Sequence, residues 1–275
     1  MKEKVAIQGI AGSFHHQVAR EYFGNDVEVE ECMSFQEVVA NLLAGRSGKA
    51  VMAIENSIVG SILPNYALID DNNLRITGEH YIPIQMNMMA VPGQKIEDIK
   101  KVYSHPMALL QCKEFFKNYP HIKLVEDEDT ASVAKRISEN GKKHVAALAS
   151  RAAANLFDLE ILAENVHTLK SNSTRFLVLQ KNNEDLKENI SDKASMKFIL
   201  ESRRGSLAEV LEIISDHKLD MSKIQSVPVG NTPWKYAFFV DVLFNMPGDF
   251  EEALALLMKK TDRLTVLGTY KNKWL

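Results

Sequence analysis

The sequence NSTRF, at Asn172–Phe176, places three chemically different side chains just before an apolar run, LVLQ. A hydroxyl, a guanidinium and an aromatic ring follow one another there. A turn that leads into a buried strand needs Asn or Ser, but it needs neither Thr174 nor Arg175. Taken alone, the segment is either a polar turn or part of a binding site.

The sequence GIAGSF, at Gly9–Phe14, joins a strand pattern to a helical pattern. Glycines followed by a serine at such a junction allow backbone N–H groups to point at an anion. Gly12 and Ser13 are therefore candidates for an anion site, although the same residues suit a tight turn between a strand and a helix.

The sequence IENS, at Ile54–Ser57, places a carboxylate, an amide and a hydroxyl at the end of the apolar strand AVMA. Asn56 and Ser57 are candidate ligand-binding residues. The alternative is that Asn56, Ser57 or Ser61 caps a helix.

The sequence SHPMALLQC begins at Ser104 and predicts a helix that Ser104 or His105 caps, with Pro106 in its first turn. Gln111 follows Ser104 by seven residues, about two helical turns, so both side chains could reach one ligand. The alternative is a capped helix with an incidental glutamine. Cys112 has no evident base nearby, and we interpret it as a small buried side chain.

Composition limits the classes of function. The chain has 275 residues, 45% hydrophobic and 25% charged, which is typical of a soluble globular protein with one large domain or two ordinary ones. A net charge of −3 without a Lys/Arg block argues against nucleic acid as a partner. No apolar run is long enough for a bilayer, so no membrane association is expected.

Metal-ligating residues show no pattern typical of a metal site. Cys32 and Cys112 belong to no Cys/His cluster, which predicts a reducing cytoplasm and no structural zinc. His15 and His16 are adjacent and do not share a helix face, so they predict no two-histidine site. The acidic run at 126–129 is typical of a solvated edge, but Glu128 precedes a helix and could face a cleft.

Strand and helix patterns alternate up to about residue 180, which predicts mainly parallel sheets with helices on their faces. Ligands of such folds bind beyond the carboxyl ends of the strands. The predicted strands are KVAIQG, VEVEEC, KAVMAIEN, KKVYSH, KLVEDED and HVAALAS. The predicted helices are SFHHQVAREYF, SFQEVVANLLAG, GSILPNYALIDD, PMALLQCKEFFKN, TASVAKRISEN and RAAANLFD.

The pattern changes after a charged segment without apolar periodicity, which we interpret as a linker at 181–193. The elements that follow predict a β-α-β-β-α-β, ferredoxin-like module of about 80 residues. They are SMKFILE, GSLAEVLEIISDHK, MSKIQSVPV, WKYAFFVDVLF, DFEEALALLMKKT and LTVLGTY.

Six motifs together resemble one family. GIAGSFHHQVA, IENSIVGSI, GEHYIPI, SHPMALLQC, DTASVA and NSTRFLVL occur in the order found in prephenate dehydratases, from about Val5 to Gln180. The C-terminal module resembles the ACT regulatory domain of that family, and its GSLAEVL is similar to the family's Gly-Ala-Leu motif. The resemblance implies a two-lobed catalytic region at 1–180, similar to the type II periplasmic-binding fold, and an ACT domain at 194–275.

The resemblance also implies the reaction, in which prephenate loses carbon dioxide and its ring hydroxyl to give phenylpyruvate without a cofactor. Thr174 would donate a hydrogen bond to the departing hydroxyl. Arg175 would neutralise a carboxylate or brace the lobes. The other implied substrate-binding residues are Asn56, Ser57, Ser104 and Gln111, with Gly12 and Ser13 as an anion cradle and Glu128 near the cleft.

For regulation, the resemblance implies that phenylalanine binds where ACT domains pair in a homodimer or homotetramer. The implied pocket residues are Gly205, Ser206, Leu207, Gln225 and Ser226. The sequence departs from the family at Ile10, where proline is common. It also departs at 225–228, where Gln-Ser-Val-Pro replaces Glu-Ser-Arg-Pro. The ESRR at 201–204 lies before the first helix of the module, and we interpret it as a coincidence.

Three alternatives stay open at this point. Arogenate dehydratase carries out the same reaction on the amino-acid form of the substrate. A non-catalytic two-lobed binding protein with an ACT sensor is a second alternative, although no signal peptide is evident. A fused chorismate mutase is not expected, because no helical domain precedes Val5.

Overall fold

The computed structural model describes residues 4–182, 190–229 and 235–273. Its contacts divide the chain into two compact units. Unit 1 runs from the amino terminus to Gly60 and continues with Tyr81–Phe176, whereas unit 2 holds Ser61–His80 and the chain from Leu177 onward. The expected domain limits at 180 and 194 stay predictions, and residues 183–189 of the expected linker lie outside the described part.

Sheet A has the strand order β2-β1-β3-β11-β5, with the short β4 paired to β3. Strand β1 pairs in parallel with β2 and with β3, as predicted. Its residues Val5, Ala6 and Ile7 are almost completely buried, as a strand with both neighbours in place requires. The strands are β1 Val5–Gln8, β2 Val29–Cys32, β3 Lys49–Asn56, β4 Gly60–Ser61, β5 Leu74–Pro83 and β11 Ser173–Lys181.

The helices next to sheet A begin at serine caps. Ser13 accepts a hydrogen bond from the His16 N–H at the start of α1, and Ser34 accepts one from the Glu37 N–H at the start of α2. These helices are α1 Phe14–Phe23 and α2 Phe35–Leu43, whereas α3 Leu63–Asp71 belongs to unit 2 and has no side-chain cap.

Sheet B has the order β10-β6-β9-β7-β8 and lies in unit 1. Strand β7 is parallel to β8 and β9, as predicted, but β6 is antiparallel to both β9 and β10. The strands are β6 Asn87–Ala90, β7 Lys101–Ser104, β8 Lys123–Glu126, β9 Val145–Ala149 and β10 Glu160–Ala163. The helices are α4 Pro106–Gln111, α5 Lys113–Phe116, α6 Thr130–Glu139 and α7 Arg151–Leu156.

Two predicted helices differ from the structure. The helix expected from Gly60 begins only at Leu63, because Gly60 has φ +87° and Gly60–Ser61 pairs as a strand. The helix expected at 106–118 divides at Cys112, whose ψ of 2° turns the backbone away from helical geometry. Strands β5, β6 and β10 were not predicted.

Sheet C has the order β13-β14-β12-β15 and lies in unit 2. The predicted β-α-β-β-α-β order is confirmed, apart from Trp234, which lies outside the described residues. The elements are β12 Lys193–Ile199, α8 Ser206–Asp216, β13 Asp220–Pro228, β14 Tyr236–Leu243, α9 Pro247–Lys260 and β15 Arg263–Tyr270.

The two faces of sheet C have different partners. Met196 and Phe198 of β12 pack in one core with Val210 of α8 and Leu257 of α9. Successive side chains of a strand point to opposite faces, so Lys193 and Lys197 belong to the other face.

Residues Ser61–His80 cover that second face. The Tyr66 ring lies 4.9 Å from the Phe239 ring, and Asp70 forms an ion pair with Lys197. Glu79 and Lys193 are 0% and 2% exposed. They form an ion pair with N–O distances of 3.0 and 2.9 Å. None of the helices in the described part of the chain is long and apolar enough to cross a membrane.

Candidate active site

The Thr174 hydroxyl is the centre of the candidate site. Thr174 lies on β11 and is 8% exposed, and its Oγ1 accepts a hydrogen bond of 2.9 Å from Asn56 Nδ2. A threonine hydroxyl has one proton to donate, and this proton has no acceptor among the residues that the structure describes. Thr174 is therefore ready to donate a hydrogen bond to a bound molecule.

Asn56 ends β3 and holds Thr174 through its amide nitrogen. Its Oδ1 accepts hydrogen bonds from the backbone N–H groups of Ile58 and Val59, at 3.0 and 3.1 Å. Its Nδ2 also donates to Asn172 Oδ1 at 2.7 Å. The amide is thus bound at both ends, and its orientation is fixed.

Asn172 connects this group to the second lobe of unit 1. It is 1% exposed, and its Nδ2 donates a 3.0 Å hydrogen bond to Oε1 of Gln111, the last residue of α4. The sequence NSTRF therefore takes part in a hydrogen-bonded network that a plain turn would not need. Of the predicted residues, Asn56, Gln111 and Thr174 belong to one hydrogen-bonded group.

Ser57, just after β3, forms hydrogen bonds with the backbone around the NSTRF segment. Its Oγ donates to the Ser171 carbonyl at 3.1 Å and accepts from the Ser173 N–H at 2.9 Å. The hydroxyl proton is used in these backbone contacts, so only a lone pair remains for a ligand.

Arg175 has an acidic partner within its own sheet. Its side chain is 3% exposed, and Nη1 lies 3.3 Å from Glu55 Oε1. The guanidinium also lies 5.9 Å from the centre of the Tyr81 ring. These contacts join β3, β5 and β11, so Arg175 braces sheet A in this structure.

Phe176 packs beneath the site, as expected, against a buried histidine. The Phe176 and His15 rings meet edge to face at 5.0 Å, and His15 Nε2 accepts a hydrogen bond from the Ala53 N–H at 3.3 Å. Burial lowers the pKa of His15 to about 3, because the charged imidazolium would lose its hydration. His15 is therefore a neutral core residue near pH 7.

The backbone N–H groups of the expected anion cradle at Gly12 and Ser13 have acceptors within the protein. The Ala11 N–H donates to Glu31 Oε1, the Gly12 N–H to His16 Nδ1 and the Ser13 N–H to the Ile10 carbonyl. These donors have internal acceptors, so none is available to an anion.

Gly12 instead allows a close approach of the two lobes. It has φ +88°, and a Cβ there would lie 3.2 Å from the Ala153 Cα. The Ser150 Oγ, at the start of α7, donates to the Gly12 carbonyl at 2.8 Å. The glycine turn is therefore a packing contact within unit 1.

Ser104 and Glu128 are not brought to this group. Ser104 is 0% exposed, and its Oγ donates to the Leu148 carbonyl at 2.8 Å, so the expected common ligand face with Gln111 is not seen. His105 rather than Ser104 caps α4. Glu128 is exposed, and its N–H bonds to Asp127 Oδ1.

Comparison with known proteins shows the family to which the chain belongs. A sequence model described as prephenate dehydratase matches residues 5–184, which is more than half of the chain. The chain belongs to the prephenate dehydratase family.

Relatives in this family match almost the whole chain. The bifunctional chorismate mutase/prephenate dehydratase of Aquifex aeolicus is 36% identical over 271 residues, covering 98% of this chain and 74% of that protein. The arogenate dehydratase/prephenate dehydratase 1 of Arabidopsis thaliana is 34% identical over 284 residues, covering 98% of this chain and 72% of that protein.

Solved structures share the same architecture. The prephenate dehydratase from Arthrobacter aurescens in complex with L-Phe has a TM-score of 0.87 at 25% identity, covering 98% of this chain and 90% of that one. A protein described as a novel type of quorum-quenching acylase has a TM-score of 0.87 at 26% identity, covering 98% of this chain and 97% of that one.

The predicted effector residues of this dehydratase lie in unit 2. Gly205, with φ +87°, caps α8, Leu207 packs against the helix-side core, and Ser206 lines an open pocket of about 410 Å³. Arg204, Lys235 and Tyr236 also line this pocket. Gln225 and Ser226 lie on β13 and do not line it.

Two residues that contact the predicted site residues were not predicted themselves. Asn172 was read only as part of a polar segment, and Glu55 only as the carboxylate of IENS. The signal for both was present, because Asn172 is two residues before Thr174 and Glu55 precedes Asn56. Their partners lie 61 to 120 residues away in the sequence, which local patterns do not reveal.

Cys112 does not have the properties of a nucleophile. Burial raises its pKa to about 12, so the thiolate is not formed near neutral pH. Among the described residues, no group of three or more His, Cys, Asp and Glu side chains could hold a metal ion.

Proposed function

We propose that this chain catalyses the decarboxylating dehydration of prephenate to phenylpyruvate, a step of phenylalanine biosynthesis. The observation that carries this proposal is the Thr174 hydroxyl, whose oxygen is held by Asn56 and whose proton is left to donate. Family membership supports the same assignment.

The reaction breaks two bonds and forms an aromatic ring. The bond from the ring to its carboxylate breaks and releases carbon dioxide, and that electron pair enters the ring. The carbon–oxygen bond on the opposite side of the ring then breaks, and the hydroxyl leaves. Aromatisation makes the reaction strongly favourable, so the chain has to position the substrate and assist the leaving hydroxyl.

Thr174 is the proposed catalytic residue. An aliphatic hydroxyl is a weak acid, so we assign it a hydrogen bond to the leaving oxygen rather than full proton transfer. Accepting a bond from Asn56 makes this hydroxyl a better donor, because linked hydrogen bonds polarise one another. Gln111 and Asn56 are the proposed substrate-positioning residues, and Arg175 supports the sheet beneath them.

Two other activities are alternatives to this one, and the structure argues against only the second. Arogenate differs from prephenate by an amino group, and no contact described above selects between them. An acylase would need a base to activate a hydroxyl nucleophile. Thr174 Oγ1 has an amide partner, with no histidine or carboxylate bonded to it in the described residues.

We also propose that the C-terminal module is an ACT domain that binds phenylalanine and reduces turnover. The β-α-β-β-α-β fold and the pocket beside Ser206 support this role. Pairing of two modules in a homodimer or homotetramer would bring Gln225 and Ser226 of one copy to the pocket of another. Dehydratase activity is the single catalytic activity that we assign to these 275 residues. The cytoplasmic location expected from the cysteines stays a prediction.

Purified protein incubated with prephenate or arogenate tests the proposal, with phenylpyruvate and phenylalanine as the products measured. We expect phenylpyruvate from prephenate, and the rate with arogenate measures the preference between the two substrates. Chorismate and an N-acyl amide serve as further substrates that should not react. No turnover of prephenate or arogenate would contradict the proposed function.

A further inference from the structure

We propose that Asn172 is a positioning residue that determines which end of the Gln111 amide faces the substrate. This inference rests on the proposed function, because it concerns how the same site holds prephenate. It follows from the direction of each hydrogen bond in a chain of three amides.

The chain of amides begins at two backbone groups that can act only as hydrogen-bond donors. The N–H groups of Ile58 and Val59 can only donate, and both point at the Asn56 side chain, at 3.0 and 3.1 Å. The oxygen of the Asn56 amide must therefore face them. Its NH₂ group must then point the other way, toward Asn172 and Thr174.

Asn172 extends the same donor-to-acceptor order to Gln111, in the second lobe of unit 1. Because the Asn56 NH₂ group donates at 2.7 Å, the oxygen of the Asn172 amide must face Asn56. The Asn172 NH₂ group then faces Gln111 and donates to its Oε1 at 3.0 Å. Asn172 is 1% exposed, so water cannot replace either partner without moving the strand.

Gln111 therefore presents its NH₂ group outward. This group has no acceptor among the described residues, and the side chain is partly exposed. The Thr174 proton is the second unused donor of the same network. Two donors suit a substrate whose carboxylate and hydroxyl oxygens accept hydrogen bonds, whereas an outward Gln111 oxygen would repel them.

The replacement Asn172→Asp changes only the last hydrogen bond of the amide chain, the one from Asn172 to Gln111. A carboxylate still accepts from Asn56, so Thr174 keeps its partner. It can no longer donate to Gln111, so the Gln111 amide turns its NH₂ group inward and its oxygen outward. We expect KM for prephenate to rise about tenfold or more, with a much smaller change in kcat, because a bond to a charged substrate is lost in both ground and transition states.

Asn87→Asp is the matched control. Asn87 is also 1% exposed in unit 1, but its amide bonds only backbone groups, the Asn165 N–H and the Gln85 carbonyl. The control buries the same carboxylate outside the amide chain. We expect its KM to stay near that of the parent, and an equal rise in both variants would overturn the inference.

A double-mutant cycle separates positioning from general damage. Gln111→Ala should raise KM by itself, and Asn172→Asp should add nothing in that background, because no amide remains to be turned. Asn172→Ser completes the cycle if the aspartate variant does not fold. Equal effects of the Asn172 replacement with and without Gln111 would show that Asn172 does not act through Gln111.

A measurement on the parent protein does not depend on turnover. NMR exchange rates of the side-chain NH₂ groups should be slow for Asn56 and Asn172 and fast for Gln111. A protected Gln111 NH₂ group would overturn the inference even in a protein that converts prephenate. Fast Gln111 exchange in a protein that fails to convert prephenate would contradict the proposed reaction and leave the amide orientation supported.

Discussion

The proposed ability of Thr174 to assist the leaving hydroxyl depends on its neighbours rather than on its own acidity. Its oxygen receives a bond from Asn56, and its burial keeps water from competing for the proton. In such a dry site a positioned donor stabilises developing charge far better than it would in water. The chemistry therefore belongs to the amide network as much as to the hydroxyl.

Thr174→Val removes that donor while keeping the shape of the side chain. We expect turnover to fall about 100- to 1000-fold, which corresponds to about 2.7–4 kcal/mol of transition-state stabilisation. Thr174→Ser should retain more activity, because it keeps the hydroxyl. Steady-state rates with prephenate test this, with the exposed Thr168→Val as control. A valine variant with normal turnover would remove Thr174 from the mechanism.

His15 predicts a pH dependence of stability. Its pKa is about 3 in the folded protein and near 6.5 when unfolded, so the unfolded chain binds the proton first as the pH falls. The free energy of unfolding should therefore decrease below about pH 6.5, by up to about 1.4 kcal/mol per pH unit from this group. Urea unfolding at several pH values should show a shallower decrease for His15→Gln. Identical slopes would contradict a buried, neutral His15.

The structure brings together predicted residues whose types are rare in their local roles. Thr174, Asn56 and Gln111 stood out because turns and caps do not require them all. Sequence reasoning did not anticipate the acceptors of the N–H groups around Gly12 and Ser13, because they include Glu31, 20 residues away from Ala11 in the sequence. It missed Asn172, because an asparagine before a strand is ordinary until its two amide partners are known.

At the scale of elements, β5 is one of the strands that the sequence did not predict. The sequence LRITGEHYIP contains a glycine and three charged or histidine side chains, unlike the apolar runs that predicted β1 and β3. Glu79 is buried on this strand because Lys193 neutralises it. A strand that depends on an ion pair with β12 has no local pattern that reveals it.

The Glu79–Lys193 pair makes a quantitative prediction. Glu79→Gln should lower the free energy of unfolding by about 3–5 kcal/mol, because Lys193 would stay charged and buried without its carboxylate partner. Replacing both residues, Glu79→Leu with Lys193→Met, should recover much of this loss. Urea unfolding is the measurement. Glu30→Gln, in the more exposed pair with Lys4, should cost no more than about 1 kcal/mol.

The outcome of that comparison distinguishes pairing from simple burial. A double variant that is no better than Glu79→Gln would show that the carboxylate matters for its other contacts, such as the Lys273 N–H at 3.1 Å. A loss in Glu30→Gln equal to that in Glu79→Gln would contradict the role of burial.

At the scale of the whole molecule, the proposed regulation requires phenylalanine to favour one state of the enzyme over another. Allosteric coupling typically amounts to about 1–3 kcal/mol. The charges that the family has in the second effector motif are replaced here by Gln225 and Val227. We therefore expect phenylalanine to inhibit, but less strongly than in relatives with the full motif.

Gly205→Glu tests where the effector binds. The residues on both sides of Gly205 line the pocket, and Gly205 itself has a positive φ that disfavours any side chain. We expect basal turnover to persist and inhibition by phenylalanine to be lost. Turnover against phenylalanine concentration is the measurement. Inhibition that persists unchanged would place the effector site elsewhere.

Two control variants accompany this test. Gly205→Ala adds the backbone strain without the bulk or charge, so it should retain part of the inhibition. Gly248→Glu places the same side chain at another glycine of the module, where a Cβ would also meet open space, and should be inhibited like the parent.

The placement of Ser61–His80 in unit 2 has a consequence for folding during synthesis. Glu79 leaves the ribosome 114 residues before Lys193, and at about 5–20 residues per second this interval lasts roughly 6–23 s. Unit 1 is completely synthesised once Phe176 has been added. Until sheet C is made, however, the growing chain carries in its middle α3 and Glu79, whose partners in sheet C do not yet exist. Chaperones that bind nascent chains would find their target in this internal segment rather than at the most recently made end.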